Sequence, residues 1–157
     1  MFICSVRAST IKLFSVIALC ILGLGIAVFG TVSGIEAVSA DATVSYSGIK
    51  NEEDRRRFIT AQGYTLADGC VEEVEFSVPS DFDRVIAGYN EVQKKQGLDL
   101  KRYKGKKVKR YTYAVTNYEG YDGTVYANLV VYRSKIIACD ISSASPDGFV
   151  LPLVKDL

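Results

Sequence analysis

The chain contains no histidine and no tryptophan, and it has only one methionine and three prolines among 157 residues. The absence of histidine removes the usual general base, the commonest metal ligand and every nucleophile pair that depends on an imidazole. The residues that remain show no spacing typical of a metal site or a phosphate-binding loop. We therefore expect no cofactor and no metal ion, and we assign no catalytic residue.

Charged residues are missing from one long stretch, residues 13–32, which reads LFSVIALCILGLGIAVFGTV. At about 1.5 Å per residue, a helix of this length spans roughly 30 Å, the thickness of a bilayer core. Arg7 and Lys12 precede the stretch, whereas residues 33–49 contain two acids and no base. The excess of basic residues on the N-terminal side predicts that residues 1–12 stay in the cytoplasm and that the C-terminal part is exported.

The apolar stretch is read either as a retained signal anchor or as a signal peptide cleaved after Ala40. Small residues at 38–40 fit a cleavage site, but the apolar run exceeds the roughly 7 to 15 residues of a signal-peptide core. The anchor is therefore favoured, and it predicts a single-pass protein of the cell membrane. Residues 33–50 then form a tether, and residues 51–157 form one extracytoplasmic domain.

Neither sign of charge is in excess, since the chain has 19 basic and 18 acidic residues. Net charge alone therefore implies no polyanionic partner, and export excludes nucleic acid. Cysteine is also scarce, and only Cys70 and Cys139 lie in the exported part. Both fall on the apolar side of predicted strands, so a disulfide between them is one hypothesis. The alternative is that each is a small buried hydrophobic residue.

Two helices are predicted in the exported domain. Asn51 is placed as the N-cap of a helix over residues 52–62, in which two i,i+4 Glu–Arg pairs predict a solvated, salt-bridged face. The second helix begins after Ser80 as its cap and ends at Gly97. Its apolar side chains recur at spacings of three and four: Phe82, Val85, Ile86, Tyr89 and Val92.

Strand-like runs rich in Val, Ile, Tyr and Thr cover residues 70–78, 108–116, 124–132 and 136–141. Short links between the last three predict an antiparallel meander. The core face of the third run, from Val125 to Val131, is expected to pack against the second helix. The predicted fold class is α+β: an N-terminal transmembrane helix, then a small domain with two helices packed on a mostly antiparallel sheet of about four strands.

Residues 89–118, YNEVQKKQGLDLKRYKGKKVKRYTYAVTNY, together with ANLVVY at 127–132 and IIACD at 136–140, resemble a bacterial family catalogued as Domain of unknown function 4830. The most specific motifs are YN-x-x-Q-x-x-QG-x-DL and RYTY. The resemblance implies one N-terminal membrane helix, but no activity and no functional residue. The chain departs from the family pattern at Ala138-Cys139, where a Gly pair is expected, and at Arg133-Ser134, where an Asn-Gly turn is expected.

Seven basic residues in ten form one charge cluster at residues 101–110, KRYKGKKVKR. Strand alternation places Lys107, Lys109, Tyr111 and Tyr113 on one face and Arg110 on the other. The cluster predicts a surface that binds an anion or a glycan, such as an anionic wall polymer or lipid headgroups, through six residues: Lys106, Lys107, Lys109, Arg110, Tyr111 and Tyr113. The alternative is that the lysines protect an edge strand and the tyrosines pack within the sheet.

Taken together, these patterns predict a membrane protein whose extracytoplasmic domain binds a ligand or partner and is not an enzyme. One alternative is a regulatory or sensory subunit that acts through a membrane protein. Two others are a secreted protein, released by cleavage after Ala40, and a cryptic hydrolase. The hydrolase would require a serine to meet a lysine, for example Ser142 or Ser143 with Lys135.

Overall fold

The computed structural model of this protein describes residues 44–145 and 147–155. The predicted cytoplasmic tail at 1–12, the predicted transmembrane helix at 13–32 and the candidate cleavage site after Ala40 lie outside these residues. Within the described ranges, no helix is long and apolar enough to cross a membrane. The elements are helices α1 (Glu52–Thr60) and α2 (Arg84–Lys94), a 3-10 helix (Leu100–Tyr103), and strands β1 (Glu72–Ser77), β2 (Lys107–Val115), β3 (Val125–Tyr132), β4 (Lys135–Ser143) and β5 (Val150–Pro152).

The predicted fold is wrong in its sheet, which has five strands instead of about four. The strands follow the order β1-β2-β3-β4-β5, and every neighbouring pair is antiparallel. Strand β5 is not recognisable in the sequence, because it has only three residues and ends in Pro152. Proline has no N–H to donate to the backbone hydrogen bonds of a sheet. At the edge of the sheet, opposite Asp140, the missing donor is tolerated.

Both helices begin at a side-chain cap. The Asn51 side chain accepts a hydrogen bond from Asp54 N at 2.8 Å, and the Asp54 carboxylate accepts one from Asn51 N, which makes a capping box. The second helix starts later than predicted. Its cap is Asp83, not Ser80, because the Asp83 carboxylate accepts a hydrogen bond from Ile86 N at 2.8 Å.

The sheet buries apolar side chains on both faces, and each face receives one helix. Leu129 of β3 belongs to a cluster with Phe58 and Ile59 of α1, while the next residue, Val130, belongs to a second cluster against which Tyr89 of α2 packs. The prediction that the second helix faces Val125 to Val131 is therefore wrong. The first helix covers that face, although its sequence offers only two buried apolar residues.

A tight hairpin joins β3 to β4 through Arg133 and Ser134, whose φ angles are 45° and 62°. Positive φ at both central residues matches the twist of a two-residue hairpin, a role that Asn-Gly usually fills. The Ser134 carbonyl also accepts a hydrogen bond from Ile49 N at 3.0 Å. This bond holds the segment before α1, including Lys50, beside the end of the sheet.

Candidate functional site

A cleft of about 310 Å³ lies between the start of α1, the sheet and the β3–β4 hairpin. Its volume falls within the range of small-ligand sites. Glu75 is the one acidic residue in its lining, against five basic ones: Lys50, Arg55, Lys107, Lys109 and Arg133. We call this feature the basic cleft.

Arg55 enters the basic cleft from the first half of α1, and two tyrosines of β2 hold its guanidinium group. The Arg55 Cζ atom lies 3.7 Å from the centre of the Tyr111 ring, and Nε donates a hydrogen bond to the Tyr113 hydroxyl at 2.8 Å. Burial raises the pKa of Tyr113 to about 12, so its hydroxyl stays neutral and accepts this bond at physiological pH. Stacking and hydrogen bonding together fix the position of the guanidinium.

The other four basic residues of the basic cleft differ in whether an acidic side chain neutralises their charge. Lys109 Nζ lies 2.7 Å from a Glu73 carboxylate oxygen, and this hydrogen bond raises the pKa of Lys109. Within residues 44–145 and 147–155, Lys50, Lys107 and Arg133 have no ion-pair partner. The basic cleft therefore keeps an excess of positive charge.

The structure distributes the six residues of the predicted anion surface over several places. Lys107, Lys109 and Tyr111 line the basic cleft, whereas Lys106 is exposed and is not part of its lining. Arg110 lies on the opposite face of the sheet, where its guanidinium pairs with Glu72. Anion binding by this region stays a prediction, but the six residues do not form one continuous surface.

The two tyrosines of the predicted surface do not offer free rings. Tyr111 is 9% exposed and Tyr113 is 0% exposed, and Arg56 also lies over the Tyr113 ring, with Cζ 5.9 Å from its centre. A sugar would need an open aromatic face on which to stack. In this structure the tyrosines instead hold arginines, which favours an anion over a neutral glycan as the ligand.

Sequence reasoning missed Lys50, Arg55 and Arg133, because all three lie outside the basic cluster at 101–110. The Glu53–Arg57 pair of the predicted salt-bridged face does form, at 3.0 Å, but Arg55 turns toward the sheet. A signal for this was present in the sequence. Arg55 precedes the apolar pair at 58 and 59 by three and four residues, which puts all three on one helix face.

On the opposite face of the sheet, a buried polar network joins α2 to β4. Asp140 is 4% exposed and accepts hydrogen bonds from the Tyr89 hydroxyl at 2.6 Å and from Asn128 Nδ2 at 2.8 Å. Burial raises the pKa of Asp140, and these hydrogen bonds oppose the shift. Because both carboxylate oxygens have partners, this network accounts structurally for the motif residues Tyr89 and Asp140 without requiring a ligand.

The remaining motif residues of the second helix also make structural contacts. Asn90 donates to the Asp99 carboxylate at 3.0 Å and accepts from Leu100 N at 2.7 Å, which closes the loop after α2. Gln93 and Gln96 are fully buried and bind the backbone of β4 at residue 139. The YN-x-x-Q-x-x-QG-x-DL motif therefore anchors α2 to the sheet.

The structure does not bring Cys70 and Cys139 together. The Cys70 sulfur contacts the carbonyl oxygens of Glu72 and Thr112, at 3.1 and 3.5 Å, whereas the Cys139 sulfur lies 3.4 Å from the Gln96 side chain. Strand β3 separates β2, beside Cys70, from β4, which carries Cys139, and two strand spacings are about 10 Å. A disulfide requires closer Cα atoms, about 4.4–6.8 Å apart.

The serine and lysine residues considered for a hydrolase are also far apart. Lys135 begins β4, while Ser142 and Ser143 end the same strand, seven and eight residues later. At about 3.3 Å per residue, more than 20 Å separates the lysine from either serine. Ser142 Oγ instead accepts a hydrogen bond from Asn128, and Ser143 Oγ accepts one from Phe149 N.

Comparison with known proteins gives one match. None of the curated proteins and none of the solved structures matches the chain. A family profile described as Domain of unknown function (DUF4830) matches residues 58–141, more than half of the chain, from the end of α1 into β4. The match includes both motifs that predicted it, YN-x-x-Q-x-x-QG-x-DL and RYTY. The chain therefore belongs to the family described as Domain of unknown function (DUF4830).

Proposed function

We propose that this protein is an extracytoplasmic binding domain, held at the membrane by the apolar segment at residues 13–32, and that it takes a phosphate-bearing ligand in the basic cleft. One observation carries the proposal. Five basic side chains from three separate parts of the chain line a single cleft with only one acid among them. Converging like charges repel one another, and a bound anion would relieve that repulsion.

The conformation of the β3–β4 hairpin supports this proposal. Arg133 and Ser134 both hold positive φ angles, which cost about 1–2 kcal/mol for residues with a side chain. An Asn-Gly turn would remove much of this cost but would also remove the guanidinium of Arg133 from the basic cleft. The strain is consistent with a functional role for that charge.

The position of the basic cleft supports a ligand near the membrane surface. Lys50, in its lining, is the last residue of the eighteen-residue tether that follows the apolar segment. Residues 44–50 pack against the sheet through Tyr46, Ser47 and Ile49, so only the eleven residues 33–43 separate them from the apolar segment, and these can span at most about 40 Å. The anions available at that distance outside the membrane are the phosphates of lipid headgroups and of wall polymers, which Lys and Arg bind well.

The test compares two double variants of the full-length protein in a neutral detergent. Lys107→Gln with Arg133→Gln removes two charges from the basic cleft, and Lys95→Gln with Lys101→Gln removes two exposed charges elsewhere. The probes are a fluorescent poly(glycerol phosphate) and short-chain phosphatidylglycerol, with short-chain phosphatidylcholine as the zwitterionic control. Fluorescence anisotropy and calorimetry report the affinities.

We expect the cleft variant to bind both anionic probes roughly 30-fold more weakly, because each lost charge contributes about 1 kcal/mol. The control variant should bind like the wild type, and added salt should weaken all binding. A preference for the polymer or for the lipid would identify the source of the phosphate. Equal affinity of the two variants would contradict the proposal.

The alternative role, as a regulatory or sensory subunit that acts through a membrane protein, makes a different prediction. A specific partner would co-purify with the full-length protein and remain bound to the Lys107→Gln, Arg133→Gln variant. Loss of the same partner from this variant would instead indicate that the basic cleft itself contacts the partner.

A further inference from the structure

We propose further that Arg55 makes the basic cleft selective for a phosphomonoester over a phosphodiester. This inference rests on the proposed function and narrows its ligand class: the phosphodiester probes named above bind the same cleft, and a phosphomonoester binds it more tightly. It concerns the edge of the guanidinium that carries the two Nη atoms. A fixed guanidinium edge binds two oxygens of one oxyanion at once, which a flexible lysine cannot do.

Two contacts determine how this edge is presented. Stacking on Tyr111, at 3.7 Å, sets the plane of the Arg55 guanidinium, and the 2.8 Å bond from Nε to the Tyr113 hydroxyl sets its rotation within that plane. Among the described residues, neither Nη atom of Arg55 has a hydrogen-bond partner. The arginine is therefore held in place before a ligand binds, and little conformational entropy remains to be lost.

The charges around Arg55 favour a compact dianion. Lys50, Lys107 and Arg133 share the lining of the same 310 Å³ cleft, and Glu75 is the only acid in it. A phosphodiester carries one negative charge, whereas a phosphomonoester carries nearly two above its second pKa of about 6. Several cations around one small volume match the monoester better, because the attraction grows with the charge of the ligand.

The experiment uses the full-length protein in neutral detergent at pH 7.5, with methyl phosphate as the monoester and dimethyl phosphate as the diester. Isothermal titration calorimetry gives the two affinities. The central variant is Arg55→Lys, which keeps the charge but loses the fixed edge. Its control is Arg57→Lys, the same change on the same helix at a residue that is 67% exposed and pairs with Glu53.

We expect the wild type and Arg57→Lys to bind methyl phosphate at least about tenfold more tightly than dimethyl phosphate. Arg55→Lys should lose about tenfold in affinity for methyl phosphate and little for dimethyl phosphate, so the selectivity falls by about tenfold and only the part due to the neighbouring charges remains. Tyr113→Phe keeps the ring but removes the acceptor of the Nε bond, and it should lose part of the selectivity. The thermal unfolding of each variant shows whether it is folded.

Two results would overturn the inference: equal affinity of the wild type for the two phosphates, or unchanged selectivity in Arg55→Lys. Either result would leave the proposed function intact if the Lys107→Gln, Arg133→Gln variant still loses polymer or lipid binding. If the wild type does prefer the monoester, short-chain phosphatidic acid and glycerol 3-phosphate distinguish a lipid headgroup from a soluble monoester. Tighter binding of either one supports the proposed ligand class.

Discussion

At the scale of single residues, burial gives chemically similar side chains different roles in this protein. Arg110 pairs with Glu72 on one face of the sheet, while Arg55 is stacked on Tyr111 in the basic cleft on the other face. Exposed Arg57 pairs with Glu53 and Asp54, which are neighbours on its own helix. Of these three arginines, Arg55 is the one that is both held in place and able to offer donors to a ligand.

Asp140 is a buried carboxylic acid whose titration should affect folding. Burial raises its pKa in the folded protein, so the folded state binds a proton more tightly than the unfolded state. Below the ordinary Asp pKa of 3.8, protonated Asp140 therefore makes its full contribution to the free energy of unfolding. This contribution decreases as the pH rises from 3.8 through the pKa of Asp140 in the folded protein. As the pH rises over that range, we expect the free energy of unfolding of the wild type to decrease relative to that of Asp140→Asn. Urea unfolding between pH 3 and about 7 measures this difference.

Asp99→Asn is the matched control for this prediction, since the pKa of Asp99 is lowered, first by its hydrogen bond from Asn90. Its contribution to stability is present above 3.8 and is lost as the pH falls through the folded value, which is the opposite sign. If both variants show the same pH trend relative to the wild type, the assignment of a raised pKa to Asp140 is wrong.

At the scale of elements, the two helices are attached to the sheet by different means. Helix α1 uses two apolar residues and two arginines that contact tyrosines of β2, whereas α2 uses buried amides that bind the β4 backbone. The β3–β4 hairpin connects α1 to the basic cleft, because Arg133 lines the cleft and Ser134 binds the segment before α1.

Ser134→Gly should stabilise the protein by about 1 kcal/mol, because glycine adopts a φ of 62° without the steric cost that serine carries. This corresponds to an increase in melting temperature of about 4–8 °C for a domain of this size. Ser77→Gly, within strand β1, is the control and should destabilise by about 0.5–1 kcal/mol. Calorimetry measures both, and a destabilised Ser134→Gly would show that this φ angle carries no strain.

At the scale of the whole molecule, the apolar segment, the tether and the folded domain together make one prediction about location. In fractionated cells we expect a membrane-bound chain with the full-length mass of 17.2 kDa. An apolar run of this length is long enough to span a bilayer, which is the reason for expecting an anchor. Intact mass spectrometry of the recovered protein measures this. A soluble species that begins at Asp41 would contradict the anchor and indicate a secreted binding domain.

Much of the local structure could be predicted, because local signals determine it. Asn51 caps α1 through its own side chain, and β2, β3 and β4 follow runs of strand-forming residues joined by short links. The edge strand β5 could not be predicted, since its three residues are a strand only because β4 presents an unpaired edge. The cap of α2 lies three residues after the predicted one, because Ser80 and Asp83 are both favourable caps.

The sequence by itself determined the family, through motifs whose residues anchor α2 to the sheet, and it located the charge cluster from which Lys107 and Lys109 come. The tertiary structure alone decided which residues share the basic cleft. Lys50, Arg55 and Arg133 are up to 83 positions apart in the chain and meet only because the hairpin binds the segment before α1. Periodicity reports which side of an element a residue occupies, but long-range packing decides what that side faces.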